Sequence, residues 1–398
     1  MLRPTKLLTS LALLALAVLP ACGLGEPPAA PTLKVGIVAP LSGEYEALGR
    51  RVREGVLLAA EVQNQSGGIL GYQVQVVLED SHCDYLAARA AAQEVIDQGV
   101  LFIIGAVCAD ASEGVAQVAE DADVLQISPA SVDLDLTLDA EGEVRPLVFR
   151  VPSADVDQGV VAAEFALEEL GAERAGLLFA EGTDYGSALA EAFRIRFEAG
   201  GGEVVSRQAY DQDAEFFYDE LEAVRDAEPD VLYAPGYYTV ANGLINQARQ
   251  FGLFEPVIGS DGWDSPNLSL DAVEVAYFTT YYYADDPRYA ARAWSQLYEA
   301  RYLEEPDALA TMSYDGARLL FSAIQEAGVP DPYLVAQALE QIRFEGVGGE
   351  LSFDASHNPV RPIIMLRVEN GRLSLQGEYF ARESEGPSLP GTDEPPTD

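Results

Sequence analysis

The side chains best suited to hold a small molecule cluster between Asp80 and Thr137. Leu101–Gly105 is a short apolar run ending in glycine, the pattern of a buried parallel strand. Cys108 follows, and Asp110 with Glu113 three residues later has the spacing of a capping box for a helix running to about Ala122. The N–H groups at that helix start would face a cleft. Val124–Ile127 is the next strand, and it delivers Ser128, Pro129, Ala130, Ser131 and Val132 to the same edge. Polar turns and helix starts at the carboxyl ends of strands are where an α/β domain builds a small-molecule site. The arrangement recurs downstream, with Asp184-Tyr185-Gly186, Tyr237-Tyr238 and Gly259-Ser260-Asp261-Gly262 each following an apolar strand. The chemistry offered is recognition rather than turnover. The sequence holds no phosphate loop, nucleophile elbow or metal-ligand motif, and its two histidines, His82 and His357, supply few general bases.

The elements that must position these residues alternate strand and helix. Leu33–Val38 is the first strand and ends in the turn Pro40-Leu41-Ser42-Gly43. A helix over 48–64 carries Val52, Val56, Leu57 and Ala60 at helical spacing, and residues 66–71 break it. Tyr72–Leu78 alternates as a second strand, followed by an alanine-rich helix over 85–98. Val148–Val151 starts a crossing segment, after which helices at 156–170, 186–199, 214–226 and 239–251 alternate with strands at 175–180, 203–209, 231–235 and 256–260. Such a βαβ rhythm requires mostly parallel sheets with right-handed crossovers. Two of them mean two lobes. Tyr277–Tyr283 is expected as a strand returning the chain to the first lobe. Helices follow at 287–302, 307–327 and 332–342, then a hairpin of 362–368 and 372–379 joined through Asn370-Gly371. Crossings between lobes are expected near 150–154, 283–287 and 354–360. Lobe one is then 33–152 with 285–355, and lobe two 153–284 with 356–382.

The chain has 398 residues, 48% of them apolar, enough for a large core, and a formal net charge of −41. Its only lysines are Lys6 and Lys34, so no basic patch exists for nucleic acid or for an anionic lipid surface. Arg3 and Lys6 precede an apolar stretch, Leu7–Leu19, too short to span a membrane, and 1–21 has the form of a secretion signal. Leu19-Pro20-Ala21-Cys22 resembles a bacterial lipobox, which implies cleavage before Cys22 and lipid attachment to its sulfur. Residues 22–32 then form a flexible tether, and the acidic, proline-rich stretch 383–398 is expected to be disordered. With Cys22 lipidated, Cys83 and Cys108 remain as a pair in an oxidising compartment. Each lies just past a strand, and adjacent parallel strands would bring them within bonding reach, so a disulfide is predicted. The competing arrangement is a metal site of Asp80, His82, Asp84 and a thiolate.

Taken in order, Lys34-Val35-Gly36-Ile37, Pro40-Leu41-Ser42-Gly43, Cys83, Cys108, Ile127-Ser128-Pro129, Asp184-Tyr185-Gly186 and Gly259-Ser260-Asp261-Gly262 resemble the type I periplasmic solute-binding proteins, in their leucine/isoleucine/valine-binding branch. The resemblance covers roughly 33–381, includes both cysteines, and implies an α/β fold of two lobes joined by a multi-segment hinge. Each lobe would be a mostly parallel sheet flanked by helices. It implies a binding component of an ABC importer, not an enzyme, without cofactor or metal, a monomer docking on a membrane permease. A sensory receptor domain of the same fold is the alternative. The turns after Cys108 and Ser128, with Ala109, Ala130, Ser131 and Val132, would contribute from lobe one, and Tyr185, Tyr237 or Tyr238, and Asp261 from lobe two. Asp261 would accept the ligand's ammonium. Amino-acid-binding members place hydroxyl residues where this chain has Ala109 and Val132, and losing them would weaken carboxylate binding by roughly 1 to 3 kcal/mol each. Ser42, Ser112, Ser131 or backbone N–H groups could replace them. The solute is therefore a branched-chain or other small amino acid, an amide, or a cation. Trp263 is either a cleft wall or a packed core residue, and Tyr281, Tyr282 and Tyr283 are expected in strand and hinge packing.

Overall fold

The computed structural model describes residues 30–181, 184–211, 214–265, 267–271, 273 and 275–381. Cys22, the leader, the tether as far as residue 29 and the acidic tail lie outside those residues.

The first sheet is built from β1 (Thr32–Ala39), β2 (Gln73–Asp80), β3 (Phe102–Gly105), β4 (Leu125–Ser128) and β5 (Val148–Arg150). It is parallel throughout, in the order β2-β1-β3-β4-β5. Helices α1 (Glu46–Gln65), α2 (Tyr85–Asp97) and α3 (Ala109–Asp121) provide the crossovers. Strand β1 is an interior strand, buried on both faces. Val35 and Ile37 join a cluster with Val52 and Val56 of α1, while Val38 packs with Ala88, Ala92 and Val95 of α2. That two-sided burial is why the run reads as continuously apolar instead of alternating.

The second sheet follows α4 (Asp155–Glu168) and takes β6 (Arg174–Glu181), α5 (Asp184–Ala199), β7 (Glu203–Asp211), α6 (Tyr218–Asp226), β8 (Val231–Tyr233), α7 (Tyr238–Gln250), β9 (Val257–Gly259) and β10 (Ala276–Thr280). Helices α8 (Tyr289–Tyr302), α9 (Ala308–Ala327) and α10 (Pro332–Gln341) come next. A small sheet of β11 (Phe344–Gly346), β12 (Gly349–Phe353) and β13 (Pro359–Val360) precedes the hairpin of β14 (Ile363–Glu369) and β15 (Arg372–Tyr379). The hairpin completes the second sheet, ordered β15-β14-β10-β9-β8-β6-β7, with β14 antiparallel to β10.

Helix α9 returns to the first sheet and packs along α1. A Cβ on Gly55 would stand 2.4 Å from the Ala310 carbonyl oxygen, so only glycine admits this approach. Around the contact, Glu54 accepts the Tyr298 hydroxyl, and Arg51 binds Tyr298 at 2.9 Å and Asp307 at 3.0 Å.

Several expectations need correction. Helix α3 starts at Ala109 with Cys108 in extended conformation as its N-cap and no side-chain cap, so Asp110 lies in the first turn. Glu113 binds Arg145 at 2.8 Å and Gln117 at 2.8 Å instead of closing a capping box. The disulfide Cys83–Cys108 is present, with Cα atoms 5.4 Å apart, but its strands are not adjacent because β1 lies between β2 and β3. The loops reach over the end of β1, and left-handed backbone at His82 and Cys83, with φ of 50° and 54°, turns the first of them inward. Helix α6 starts at Tyr218 rather than at 214. Val148–Arg150 pairs with β4 as an edge strand before the chain crosses. The aromatic run near 277 belongs to the second sheet, where β10 pairs with β9 and β14, and the return to α8 begins only after it.

The disulfide closes a loop of 25 residues around α2 and β3. Replacing both cysteines by serine is expected to lower unfolding stability by about 3 kcal/mol in the chain-entropy picture. Denaturant unfolding of the variant beside the oxidised chain checks this; equal midpoints would refute it.

Candidate functional site

Three turns of the second sheet meet at the carboxyl ends of β6, β8 and β9. Tyr185 stands in the first turn of α5, Tyr237 is the residue before α7, and Asp261 opens a short 3-10 turn, Asp261–Trp263. Each follows a parallel strand, so the crossover geometry that starts each helix brings the three to one edge.

The Tyr185 hydroxyl is the centre of the constellation. It lies 2.5 Å from Asp261 Oδ1 and 2.9 Å from Ser260 Oγ, and accepts the Gly262 N–H at 3.0 Å. An ionised carboxylate only accepts, so the phenol proton points at Asp261. Ser260, wholly buried, accepts the Gly236 N–H at 3.0 Å and donates to the Gly236 carbonyl at 3.2 Å, which fastens the turn after β9 to the turn after β8. A Cβ on Gly262 would come within 2.5 Å of the Gly236 carbonyl and 3.1 Å of the Tyr185 hydroxyl. Glycine is therefore required where the phenol docks. Tyr237 stacks on Tyr185 with ring centroids 5.1 Å apart and 23° between planes, leaving Tyr237 half exposed.

Helix α4 adds two residues that the sequence reading missed. Gln158, wholly buried, accepts the Asp261 N–H at 3.1 Å and the Thr279 hydroxyl at 2.5 Å. Asp155 is three residues earlier on the same helix face. Burial raises the pKa of the Asp155 carboxyl well above its ordinary value, the charge of Asp261 adds to this, and Arg150 opposes it. Burial also pushes Asp261 up, against the Tyr185 hydrogen bond, Gln158 and the Gly262 N–H. Tyr185 itself is held well above the usual phenol range by burial and then by Asp261. The signal available in the sequence was the pair of polar residues at i and i+3, Asp155 and Gln158, opening the first helix after the crossing.

The remaining expected residues are distributed as follows. Tyr238 packs on the apolar cluster of α7 and β9 rather than joining Tyr237. Trp263 is 1% exposed and sits against Phe278, so it is core and not a cleft wall. Tyr281 and Tyr282 are buried, and Tyr281 donates to the Ser153 carbonyl at 3.3 Å, across the crossing strands. On the first sheet, Ala109 is exposed at the start of α3, and Ala130, Ser131 and Val132 form the turn after β4. The Ser131 N–H donates to Ser128 Oγ at 3.0 Å. Among the described residues the buried hydroxyls of Ser112 and Ser131 have no partner, whereas Ser42 donates to Asp80 at 2.6 Å. Cys83 is committed to the disulfide and offers no thiolate for the metal arrangement; among the described residues no three His, Cys, Asp or Glu groups are placed to hold a metal ion.

The sequence matches the profile of a family described as periplasmic binding protein over residues 32–372. A leucine-, isoleucine-, valine-, threonine- and alanine-binding protein of Pseudomonas aeruginosa is 28% identical over 330 residues, 82% of this chain and 87% of that one. Among solved structures, a leucine-binding protein of Thermotoga maritima superposes with a TM-score of 0.72 at 30% identity, covering 87% of this chain and 98% of the other. A branched-chain amino acid transporter substrate-binding protein of Streptococcus pneumoniae, in complex with isoleucine, gives 0.73 at 27% identity, covering 88% and 99%.

Two outcomes follow from the site's hydrogen bonds and burial. Tyr185→Phe leaves the Gly262 N–H and Asp261 short of a partner, and the unfolding free energy is expected to fall by about 1 to 3 kcal/mol; an unchanged denaturation midpoint would contradict it. Burial raises the Asp264 pKa to about 7, against a hydrogen bond from Thr280, with Asp307 and Asp261 adding to the rise. The folded-state value lies above the unfolded one, so ionisation costs stability as pH climbs from about 4 to about 7, and the full cost persists above. Asp264→Asn is expected to raise the melting temperature at pH 8, with the gain disappearing by about pH 4. A gain independent of pH would exclude this.

Proposed function

The chain belongs to the periplasmic binding protein family, and from that premise we propose that it is the extracytoplasmic solute receptor of an ABC importer. It takes a small polar solute, of the size of an amino acid or amide, between lobes formed by 33–152 with 285–355 and by 153–284 with 356–382. The observation that carries the reading is the meeting of Tyr185, Tyr237 and Asp261 at one sheet edge, the Tyr185 hydroxyl bound to Asp261 and its ring stacked on Tyr237. Asp261 is the natural acceptor for an ammonium or amide N–H, since a hydrogen bond between opposite charges is about twice as strong as a neutral one. Closure of the lobes shifts with solute because the solute touches both only when they are closed. Cys22 carries the acyl chains that tether the monomeric receptor beside its permease.

Thermal unfolding of the intact chain against amino acids, amides and small amines tests the proposal. A ligand at about 100 times its dissociation constant adds roughly 2.7 kcal/mol, a rise of several degrees, and Asp261→Asn should remove it. If no member of the panel shifts the transition, the receptor reading fails.

A further inference from the structure

Resting on that reading of the cleft, we propose that the solute is a small organic cation without a carboxylate, such as an amine or guanidine, held by Asp155 and Asp261 together beneath the Tyr185–Tyr237 stack.

The first ground is the placement of the two carboxylates. Gln158 takes the Asp261 main-chain N–H at 3.1 Å, Asp155 is one turn earlier on the same face of α4, and Asp155 and Asp261 act on each other and on Tyr233, so the two acids are neighbours. The second is the hydrogen-bonding capacity left over there. Asp155 Oδ1 is buried and has no partner among the described residues. Tyr233, 0% exposed and stacked on Phe193 at 4.4 Å, has a buried hydroxyl without a partner, and both Asp155 and Asp261 act on it electrostatically. Buried polar atoms are ordinarily paired, so a carboxylate oxygen and a phenol left open beside Asp261 mark where a ligand's donors belong.

The third ground is the cation that is missing. Arg150 is the basic group acting on Asp155, yet it is wholly buried and donates to Asn358 Oδ1 at 2.8 Å and to the Pro152 carbonyl at 2.9 Å. Asp157, Tyr281, Asp354 and Asp155 all act on its charge, so it is already surrounded by acidic groups. On the opposite turn, Val132 offers no hydroxyl, Ala109 is equally apolar, and exposed Asp133 adds its charge to the field on Asp155. An α-carboxylate would meet the charge of Asp133 there, with the buried Ser131 hydroxyl as its one open side-chain donor in that turn. A cation gains from both aspartates, and the stacked tyrosine faces add cation–π attraction.

The test compares leucine with leucinamide, which differ in whether a carboxylate is present, and adds agmatine, each titrated calorimetrically into the intact chain. Leucinamide and agmatine are expected to bind at least tenfold tighter than leucine. Asp155→Asn should weaken agmatine at least tenfold while Asp155→Glu restores most of the affinity. Thermal unfolding of both variants shows whether they are folded, and if Asp155→Asn is not, the leucine-to-leucinamide ratio of the unaltered chain decides. Leucine binding as tightly as leucinamide overturns this inference and leaves the receptor reading standing. Binding of none of the three, together with no shift across the wider panel, removes both.

Discussion

The hydrogen bond from the Tyr185 phenol to Asp261 is the interaction on which the site depends. Three strands end near it, and none of their turns is joined to the others by covalent structure. The phenol reaches Asp261, Ser260 and the Gly262 N–H at once, and Ser260 passes the connection to Gly236. Removing the hydroxyl therefore separates the turn after β6 from the turn after β9. The arrangement also forces small residues at its edges, as the contact at Gly262 shows.

The site keeps carboxyl groups where the fold would do better without them. Asp155, Asp261 and Asp264 all have carboxyl groups that burial pushes up, and the groups opposing the shift are mostly neutral hydrogen bonds. Unpaired acids in a low-dielectric space cost several kcal/mol unless they are protonated or matched. A core selected for stability alone would have replaced them. Their presence together at one sheet edge is the pattern expected where stability has been exchanged for recognition.

Much of the fold was legible in the chain because buried parallel strands are continuous apolar runs and their helices carry helical spacing. Tyr185, Tyr237 and Asp261 were legible for the same reason: they follow strand ends. What escaped was whatever depended on the order of strands rather than on the strands themselves. The disulfide was expected from neighbouring strands, yet β1 separates its two loops. Asp155 and Gln158 lie on a helix that comes before the second sheet's first strand, so no strand-end pattern points to them, and only the packing of α4 brings Gln158 to Asp261 and Thr279. Tyr237 and Tyr238 looked equivalent in sequence. The backbone at the start of α7 sends one to the site and the other to the core.

The packing of α1 against α9 sets the order in which the molecule can be completed. Val52 and Val56 of α1 share a cluster with Ala310 and Ala317 of α9, and Gly55 meets the Ala310 carbonyl. While a chain is being synthesised, α1 is without this partner until some 250 further residues have emerged. Contacts so far apart in sequence form late and slowly. A nascent chain that cannot close its first core early stays extended and accessible for longer.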